Sequence, residues 1–400
     1  MSLPTSGGPE ARPVRFLHTS DWHVGKRLRG RSRDDETLAA LDEVVQMARE
    51  AEVDAVLIAG DVYEHRTVAP EADAIVFETL MRLRDVGARV VLIPGNHDSW
   101  QRWEALGKLL SPLGITATPR VLRPDDGGVV EVPSRDGSEA ALIACVPFVA
   151  ERRFGDAAAL FGDRASAYTA YDEGMGAVFA GMARAFHRDR VNVVLAHTMI
   201  DGARTGGGEQ ELTIGMTYAV SPARIPGTAS YVALGHLHRP QAIPAAPSPT
   251  RFAGSLLQLD FGEVDQEKSV VLVEATAGKP PKVRELPLSA GRKLLDVRGT
   301  LDQVLARAEQ VGDAYLRVYV ETAGPMPGLA DHVREVLPNA VWVEPVYERT
   351  GSVRPEAGMR TLQPREQFLH YYRDAHGAEP DATLMKAFDA VYAEVAEGAG

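Results

Sequence analysis

The sequence predicts a layered α/β fold, and two patterns along the chain predict it. Short runs rich in Val, Ile and Leu are apolar throughout, which is typical of strands covered on both faces. Between them lie stretches with apolar residues three and four positions apart, which is typical of helices packed on one side. The runs are 14–18, 53–60, 88–95, 140–147, 191–197 and 231–236, and the clearest helices are 36–50 and 71–86. Strands and helices that alternate in this way predict stacked layers.

The pattern of predicted strands and helices changes after Gly262. Residues 268–275 and 282–288 read as a hairpin. Three further strands then alternate with predicted helices at 301–310 and 329–337, which predicts a second, small α+β domain. Near the end, Pro364 begins one helix, and Asp381 caps another that carries Leu384, Phe388, Val391 and Val395. The predicted divisions are a disordered N-terminus (1–13), a main domain (14–288), a small domain (289–348), a linker (349–363) and C-terminal helices (364–400).

Composition limits the function classes that fit. The 400 residues carry a net charge of −12 and a single cysteine, Cys145, inside an apolar run. This excludes an internal disulfide framework and a cysteine-based zinc site, and Cys145 is predicted to be a core residue. The N-terminus has no apolar signal region, and no stretch approaches the ~20 apolar residues that a membrane span needs. We therefore expect a cytoplasmic chain that makes no membrane contact.

One stretch departs from the acidic average. Residues 22–33 contain five basic residues and no acid, and these are Lys26, Arg27, Arg29, Arg31 and Arg33. Such side chains bind a phosphodiester backbone without reading its sequence. The alternative is an ordinary solvated loop, since charge runs are usually surface.

Polar residues that can bind metal follow five of the six apolar runs. They are Asp21, His23, Asp61, Asn96, His97, Asp98, His197, His236 and His238. The carboxyl ends of strands in an α/β sheet converge, so these distant residues can form one site. The spacing of two in the first and last pairs would aim both members the same way in an extended chain. His18 is three residues before Asp21, so in an extended chain its side chain would face the opposite way, and it is predicted to be structural.

Oxygen and imidazole donors without thiolate suit Mn²⁺, Fe²⁺ or Zn²⁺. So many candidates exceed what one ion with open positions needs, and they suit two ions ~3.5–4 Å apart, an arrangement that hydrolyses phosphoesters. Gly60 and Gly95 precede Asp61 and Asn96, where main chain must come close to the site.

The ordered set D-x-H, GD, GNHD, H and GHxH resembles the calcineurin-like metallophosphoesterases over roughly residues 14–288. HTSDWHVGKRLRGRSR, AGDVYE, PGNHDS and LGHLHRPQ look closer still to the SbcD family, the nuclease subunits of bacterial SbcCD complexes. The resemblance implies a layered metallophosphoesterase sandwich, a capping domain at 289–348 and partner-binding helices at the C-terminus. It does not explain Glu64, which stands where archaeal relatives carry a second phosphate-facing histidine; His65 is one position further on.

The resemblance also implies roles for single residues. Asp21, His23 and His238 would hold one metal ion. Asn96, His197 and His236 would hold the other, with Asp61 bridging the two. His97 would face the scissile phosphate as general acid, and Asp98 would fix the orientation of His97.

The expected function is a DNA nuclease that uses two divalent ions, with Mn²⁺ as the expected metal. The resemblance implies 3′–5′ double-strand exonuclease and single-strand or hairpin endonuclease activity in DNA end processing, repair and recombination. It implies a homodimer within a heterotetramer with the SMC-like ATPase SbcC, docked at 364–396. No G-x-x-x-x-G-K-[ST] occurs in the chain, so ATP would be handled by that partner.

Other interpretations stay open. The predicted metal ligands indicate that a phosphoester bond is hydrolysed, but they do not indicate which substrate carries it. A small-molecule phosphodiesterase or phosphatase is therefore one alternative. A non-catalytic scaffold is another, and its mark would be a missing ligand. The C-terminal helices could fold back on the body instead of binding a partner. The glycine-rich stretch 201–209 is predicted to be a mobile loop.

Overall fold

The computed structural model describes residues 12–150, 171–206, 219–347, 364–376 and 379–397. The predicted disordered N-terminus, apart from its last two residues, and the predicted linker at 349–363 lie outside the described residues. The glycine-rich stretch is described only as far as Gly206.

The strands are β1 (Val14–Thr19), β2 (Arg27–Leu28), β3 (Arg31–Ser32), β4 (Ala55–Ile58), β5 (Arg89–Leu92), β6 (Ile115–Ala117), β7 (Val129–Pro133), β8 (Ala140–Val146), β9 (Val191–His197), β10 (Met199–Ile200), β11 (Ala219–Val220), β12 (Tyr231–Gly235), β13 (Gln241–Ala242), β14 (Thr250–Phe252), β15 (Ser269–Ala275), β16 (Lys282–Pro287), β17 (Leu294–Thr300), β18 (Tyr315–Glu321) and β19 (Ala340–Val346). The helices are α1 (Asp34–Glu50), α2 (Pro70–Asp85), α3 (Trp100–Leu110), α4 (Tyr171–Ala183), α5 (Leu301–Leu305), α6 (Leu329–Val336), α7 (Pro364–His376) and α8 (Ala382–Glu397).

Two large sheets carry the main unit. The first has the order β16-β15-β1-β4-β5-β6, in which β1, β4, β5 and β6 run parallel. The second has the order β13-β14-β12-β9-β8-β7, in which β14, β12, β9 and β8 run parallel. Antiparallel strands flank both, and the predicted hairpin is confirmed as the pair β15 and β16.

The sheets pack face to face with helices outside them. In β1, Phe16 belongs to the core between the sheets, with Leu195 of the other sheet, whereas Leu17 packs in a second core with Leu41 of α1. A third core joins the outer face of the second sheet to Phe179 of α4. Both faces of the parallel strands are thus buried, which explains their continuous apolar runs and confirms the predicted layered α/β class.

Contacts divide the described chain into two compact units. The first runs to Leu295 and includes Asp313–Tyr315, and the second comprises Asp296–Gly312 and the chain from Leu316 onward. In the second unit β18 and β19 pair in parallel, and α6 packs against β19. The predicted helix 301–310 is wrong in length: after the capping box of Thr300 and Gln303, α5 ends at Leu305 and the chain continues in turns. The sequence-based domain boundaries otherwise stay predictions.

The two C-terminal helices contact each other. Phe368 of α7 stacks on Phe388 of α8 at a ring-centroid distance of 4.2 Å, and Arg365 pairs with Asp389 at 3.1 Å. The predicted cap is present, because the Asp381 carboxylate accepts a hydrogen bond from the Leu384 amide at 2.8 Å. Val391 and Val395 lie outside the described side chains. No helix in the described part of the chain is long and apolar enough to cross a membrane.

Candidate metal centre

All seven predicted metal ligands lie at the carboxyl edge of the two sheets. The first sheet supplies Asp21, His23, Asp61 and Asn96 from the loops after β1, β4 and β5, and the second supplies His197, His236 and His238 from β9 and the loop after β12. Three groups form among the described residues, each with ligand atoms within 4.8 Å of one another: Asp21, His23 and His238; Asp61, His197 and His236; and His23, Glu64 and His97. The division of ligands between two ions that the resemblance implied stays a prediction.

The extended-chain geometry predicted for the first pair is wrong, although the shared sheet edge is as predicted. Asp21 and His23 do not lie in extended chain, because their φ angles are 51° and 47°, in the left-handed region. Their amides donate hydrogen bonds to the carbonyls of Gly60 and Asp61 at 3.0 and 3.1 Å. Pairing of the two loops therefore aims these side chains, and it holds an uncommon backbone conformation in place.

Two glycines allow the loops to approach this closely. Gly60 has a φ of 94°, and a Cβ added there would overlap the His197 ring. A Cβ on Gly95 would overlap the Asp61 carboxylate. Both positions therefore require the absence of a side chain.

Hydrogen bonds orient three of the imidazoles. Nδ1 of His23 donates to the Glu64 carboxylate at 2.8 Å, and Nδ1 of His238 donates to the Glu263 carboxylate at 2.9 Å. Nδ1 of His197 donates to the carbonyl of Ala59 at 2.7 Å. Because these acceptors carry no proton, each Nδ1 must carry one, so in the neutral ring the Nε2 is the atom that can present a lone pair to the site.

Nitrogen and oxygen atoms of these side chains converge on the site. Nε2 of His23 lies 3.2 Å from Nε2 of His238. The side-chain carbonyl of Asn96 lies 3.0 Å from Nε2 of His197 and 2.9 Å from Nδ1 of His236. Converging lone pairs repel unless a cation lies among them, so these donors fit divalent metal ions of the kind that oxygen and imidazole ligands select.

Charge in the site favours cations too. Burial opposes ionisation of Asp61, but the adjacent His197 outweighs it and holds the pKa of the Asp61 carboxyl well below its usual range. Burial likewise opposes ionisation of Glu64 and Glu263, whereas hydrogen bonds from His23 and His238 lower both pKa values to about 2. These three carboxylates are therefore ionised at neutral pH.

The role implied for Asp98 is wrong in detail. Its carboxylate accepts hydrogen bonds from the amides of Val62, Tyr63 and Gly95 at 3.2, 3.1 and 2.9 Å, which ties the loops after β4 and β5 together. The His97 ring is oriented by another residue, since its Nδ1 donates to the main-chain carbonyl of Glu64 at 2.7 Å. The role of His97 toward the phosphate stays a prediction.

Two residues of the site were missed. Glu64 bonds His23 through its side chain and His97 through its carbonyl. Glu263 is fully buried and also receives the Lys268 ammonium at 2.7 Å. The position of Glu64 after Asp61 was a signal that could have found it, but nothing in the sequence links Glu263 to a histidine 25 residues earlier.

The five predicted DNA-binding residues fall into three groups. Arg27, Arg29 and Arg31 are exposed on the hairpin of β2 and β3. Arg33 is only 1% exposed, and its guanidinium is bound by Glu36 at 2.7 Å, so its assignment to DNA is wrong. The Lys26 ammonium lies against the Glu64 carboxylate at 2.8 Å.

Comparison with known proteins places this geometry in a family. The family model for calcineurin-like phosphoesterases matches residues 14–240, more than half of the chain. The chain belongs to the calcineurin-like phosphoesterase family. As a member of that family, with its metal-ligating residues in place, it is a metal-dependent hydrolase, as predicted. A second model, the type 5 capsule protein repressor C-terminal domain of SbcD, matches residues 290–376.

Relatives within the phosphoesterase family span most of the chain. A protein named as the SbcD subunit of the nuclease SbcCD, from Bacillus subtilis (strain 168), is 30% identical over 94% of this chain and 97% of its own length. Proteins of the same name from Rhodobacter capsulatus and Escherichia coli (strain K12) are 31% and 29% identical over 74% and 75% of this chain, and over 76% and 74% of their own lengths. The predicted resemblance to the SbcD family is thereby confirmed.

Proposed function

We propose that this chain is the nuclease subunit of a DNA-processing complex and cleaves phosphodiester bonds with two bound divalent ions. One observation supports the proposal: side chains predicted to be metal ligands converge near His97, in a chain that aligns nearly end to end with an SbcD subunit of the nuclease SbcCD. The complete set of predicted ligands argues against a non-catalytic scaffold.

The metal ions would be held by Asp21, His23 and His238 and by Asn96, His197 and His236, with Asp61 between them, and Mn²⁺ suits these donors. When bound, such ions activate water and neutralise charge on the phosphate. The chain's own contribution centres on His97. Because its Nδ1 is committed to the Glu64 carbonyl, its Nε2 is the atom that can donate a proton to the leaving 3′ oxygen.

The exposed arginines of the hairpin favour DNA over a small substrate. Arg27, Arg29 and Arg31 are exposed and follow His23 by a few residues in the sequence. Their guanidinium groups would bind backbone phosphates without reading sequence, as suits 3′–5′ exonuclease action on duplexes and endonuclease action on single strands and hairpins.

The proposed partner is the SMC-like ATPase SbcC, bound through residues 364–396. Two aromatic side chains of these helices, Tyr371 and Tyr392, are 65% and 48% exposed and would supply apolar contact area to a partner. We propose a homodimer of this chain within a heterotetramer, acting in the cytoplasm in DNA repair and recombination.

A substrate panel tests the proposal. Purified protein with Mn²⁺ is incubated with end-labelled linear duplex, hairpin DNA and cyclic nucleotide, with and without the ATPase. We expect cleavage of both DNA substrates that requires the metal and responds to ATP only when the ATPase is present. Cleavage of cyclic nucleotide without cleavage of DNA would assign the chain to small-molecule phosphodiesterases.

A further inference from the structure

Phe148 lies at the one predicted strand end that carries no metal ligand. β8 ends at Val146, and Pro147 and Phe148 follow it, where the other five runs end in Asp, Asn or His. β8 pairs in parallel with β9, with Val146 opposite Ala196, so the chain after β8 runs beside His197. The sheet order therefore brings an aromatic ring to the edge where the metal ligands converge.

The ring contacts two of those ligands. The Phe148 centroid lies 6.2 Å from the His197 ring, edge-on at 85°, and 6.2 Å from the His236 ring, nearly parallel at 24°. The Phe148 amide donates to the carbonyl of Pro94 at 3.2 Å, two residues before Asn96. The backbone position of Phe148 is thus fixed relative to both halves of the site.

Packing alone does not account for the ring. Cys145 and Val146 just before it are fully buried, whereas Phe148 is only half-buried. Ring centroids separated by 6.2 Å lie toward the outer limit of aromatic contact, roughly 4.5–7 Å, so Phe148 gives the histidines little support. Part of a large apolar side chain therefore remains accessible beside charged and polar metal ligands.

We infer that Phe148 is a stacking surface for the nucleobase next to the scissile phosphate. The inference rests on the proposed function and names a substrate subsite within it. Stacking on an aromatic ring tolerates every base, because each base has a π face, and it contributes ~1–3 kcal/mol per base in single-strand-binding proteins. Phe148 would therefore anchor a nucleotide without selecting sequence.

The test compares a nucleotide that has a base with one that lacks it. Three end-labelled duplexes are compared. One has only normal nucleotides, and each of the other two carries a tetrahydrofuran abasic residue, on the 5′ side or on the 3′ side of the terminal phosphodiester. Mn²⁺-loaded wild type should cleave one of the two abasic duplexes with kcat/KM lower by roughly 5- to 150-fold. Phe148→Leu should cleave normal and abasic duplexes equally, and Phe148→Trp should keep the preference for the base.

Controls separate stacking from support of the site. Phe77→Leu, at a half-buried phenylalanine of α2, should keep the preference for the base. Mn²⁺ affinity, measured by calorimetry without DNA, should be equal in Phe148→Leu and wild type. Equal loss of activity by Phe148→Leu on both duplexes, or weaker Mn²⁺ binding, would overturn the inference while leaving the proposed function intact. If wild type cleaves neither duplex, the proposed function fails and the inference with it.

Discussion

Nε2 of His23 and Nε2 of His238 lie 3.2 Å apart, and each ring has already committed its Nδ1 proton to a buried glutamate. The two nitrogens therefore present lone pairs to each other. Such a contact is unfavourable by itself and becomes favourable around a cation. Folding of the site and metal binding should therefore be coupled.

Metal removal should lower the stability of the fold. A ligand that binds only the native state adds about 2.7 kcal/mol at a free concentration 100 times its Kd. We expect Mn²⁺ to raise the free energy of unfolding by this amount, and EDTA to reverse the change, in urea titrations. His187→Leu, at an exposed histidine outside the site, should respond like wild type. A urea unfolding midpoint that is the same with and without Mn²⁺ would contradict the assignment of a metal site.

Glu64 should affect metal affinity more than turnover. Its carboxylate orients His23, whereas its main-chain carbonyl orients His97 and survives any substitution. Loss of such an outer partner typically weakens metal binding 10- to 100-fold. Glu64→Ala should show that loss in Mn²⁺ calorimetry but retain most of kcat at saturating Mn²⁺, and Glu64→Gln should lose less.

The matched control for Glu64 is Glu71→Ala, at an exposed carboxylate in the first turn of α2. It should bind Mn²⁺ like wild type. Unchanged Mn²⁺ affinity in Glu64→Ala would show that the hydrogen bond from His23 to Glu64 does not contribute to metal binding.

His18 should make stability depend on pH. The ring is fully buried between the Tyr231 hydroxyl and the Leu234 carbonyl, as suits the structural role predicted for it, and burial lowers its pKa to about 3 from 6.5. The folded state thus binds fewer protons than the unfolded state, so this contribution to stability is full above pH 6.5 and is lost as pH falls toward 3. The loss is up to about 1.4 kcal/mol per pH unit.

A variant isolates this contribution. His18→Gln keeps a side-chain amide near both partners but cannot gain a proton. Between pH 7 and 5, its free energy of unfolding should fall less than that of wild type. The measurement is urea titration in EDTA, and the pH range is roughly the one set by the ordinary histidine pKa. Parallel pH profiles for the two proteins would contradict the pKa direction assigned to His18.

The basic run should separate into DNA-binding and structural arginines. Reversing charge at Arg27, Arg29 and Arg31 should weaken DNA binding and flatten its salt dependence, by a slope of ~0.9 per lost phosphate contact. Arg33→Met should instead destabilise the fold by about 3–5 kcal/mol, because Glu36 loses its partner, and should leave the salt slope unchanged. Fluorescence anisotropy against salt and urea unfolding measure the two effects. A salt slope that only Arg33→Met changes would reverse the division.

The sequence was enough to predict which side chains converge, because their position follows from topology. Once the apolar runs are read as parallel strands, polar residues at their carboxyl ends must meet, whatever the local backbone does. The side chains of Asp21 and His23 are oriented by hydrogen bonds between their loop and the loop of Asp61, and the sequence does not show this pairing.

What escaped prediction depends on contacts that the residue types alone do not reveal. Glu263 matters because the fold brings it behind His238, and Arg33 is structural because Glu36 and the carbonyl of Gln258 close around its guanidinium. Helix α3 was also missed, although Ser99 caps it through the Arg102 amide, since its start is hidden in the GNHDS motif. In each case the residue type was visible but its neighbour was not.

Bound metals and His97 are proposed to act together on one phosphodiester. The most direct measurement compares Mn²⁺-loaded wild type and His97→Ala for Mn²⁺ content and for the rate of end-labelled duplex cleavage. Loss of a general acid typically costs 10²–10⁴-fold. We expect full metal content in His97→Ala with a rate reduced by about that factor. Cleavage by His97→Ala at the wild-type rate would contradict this proposal.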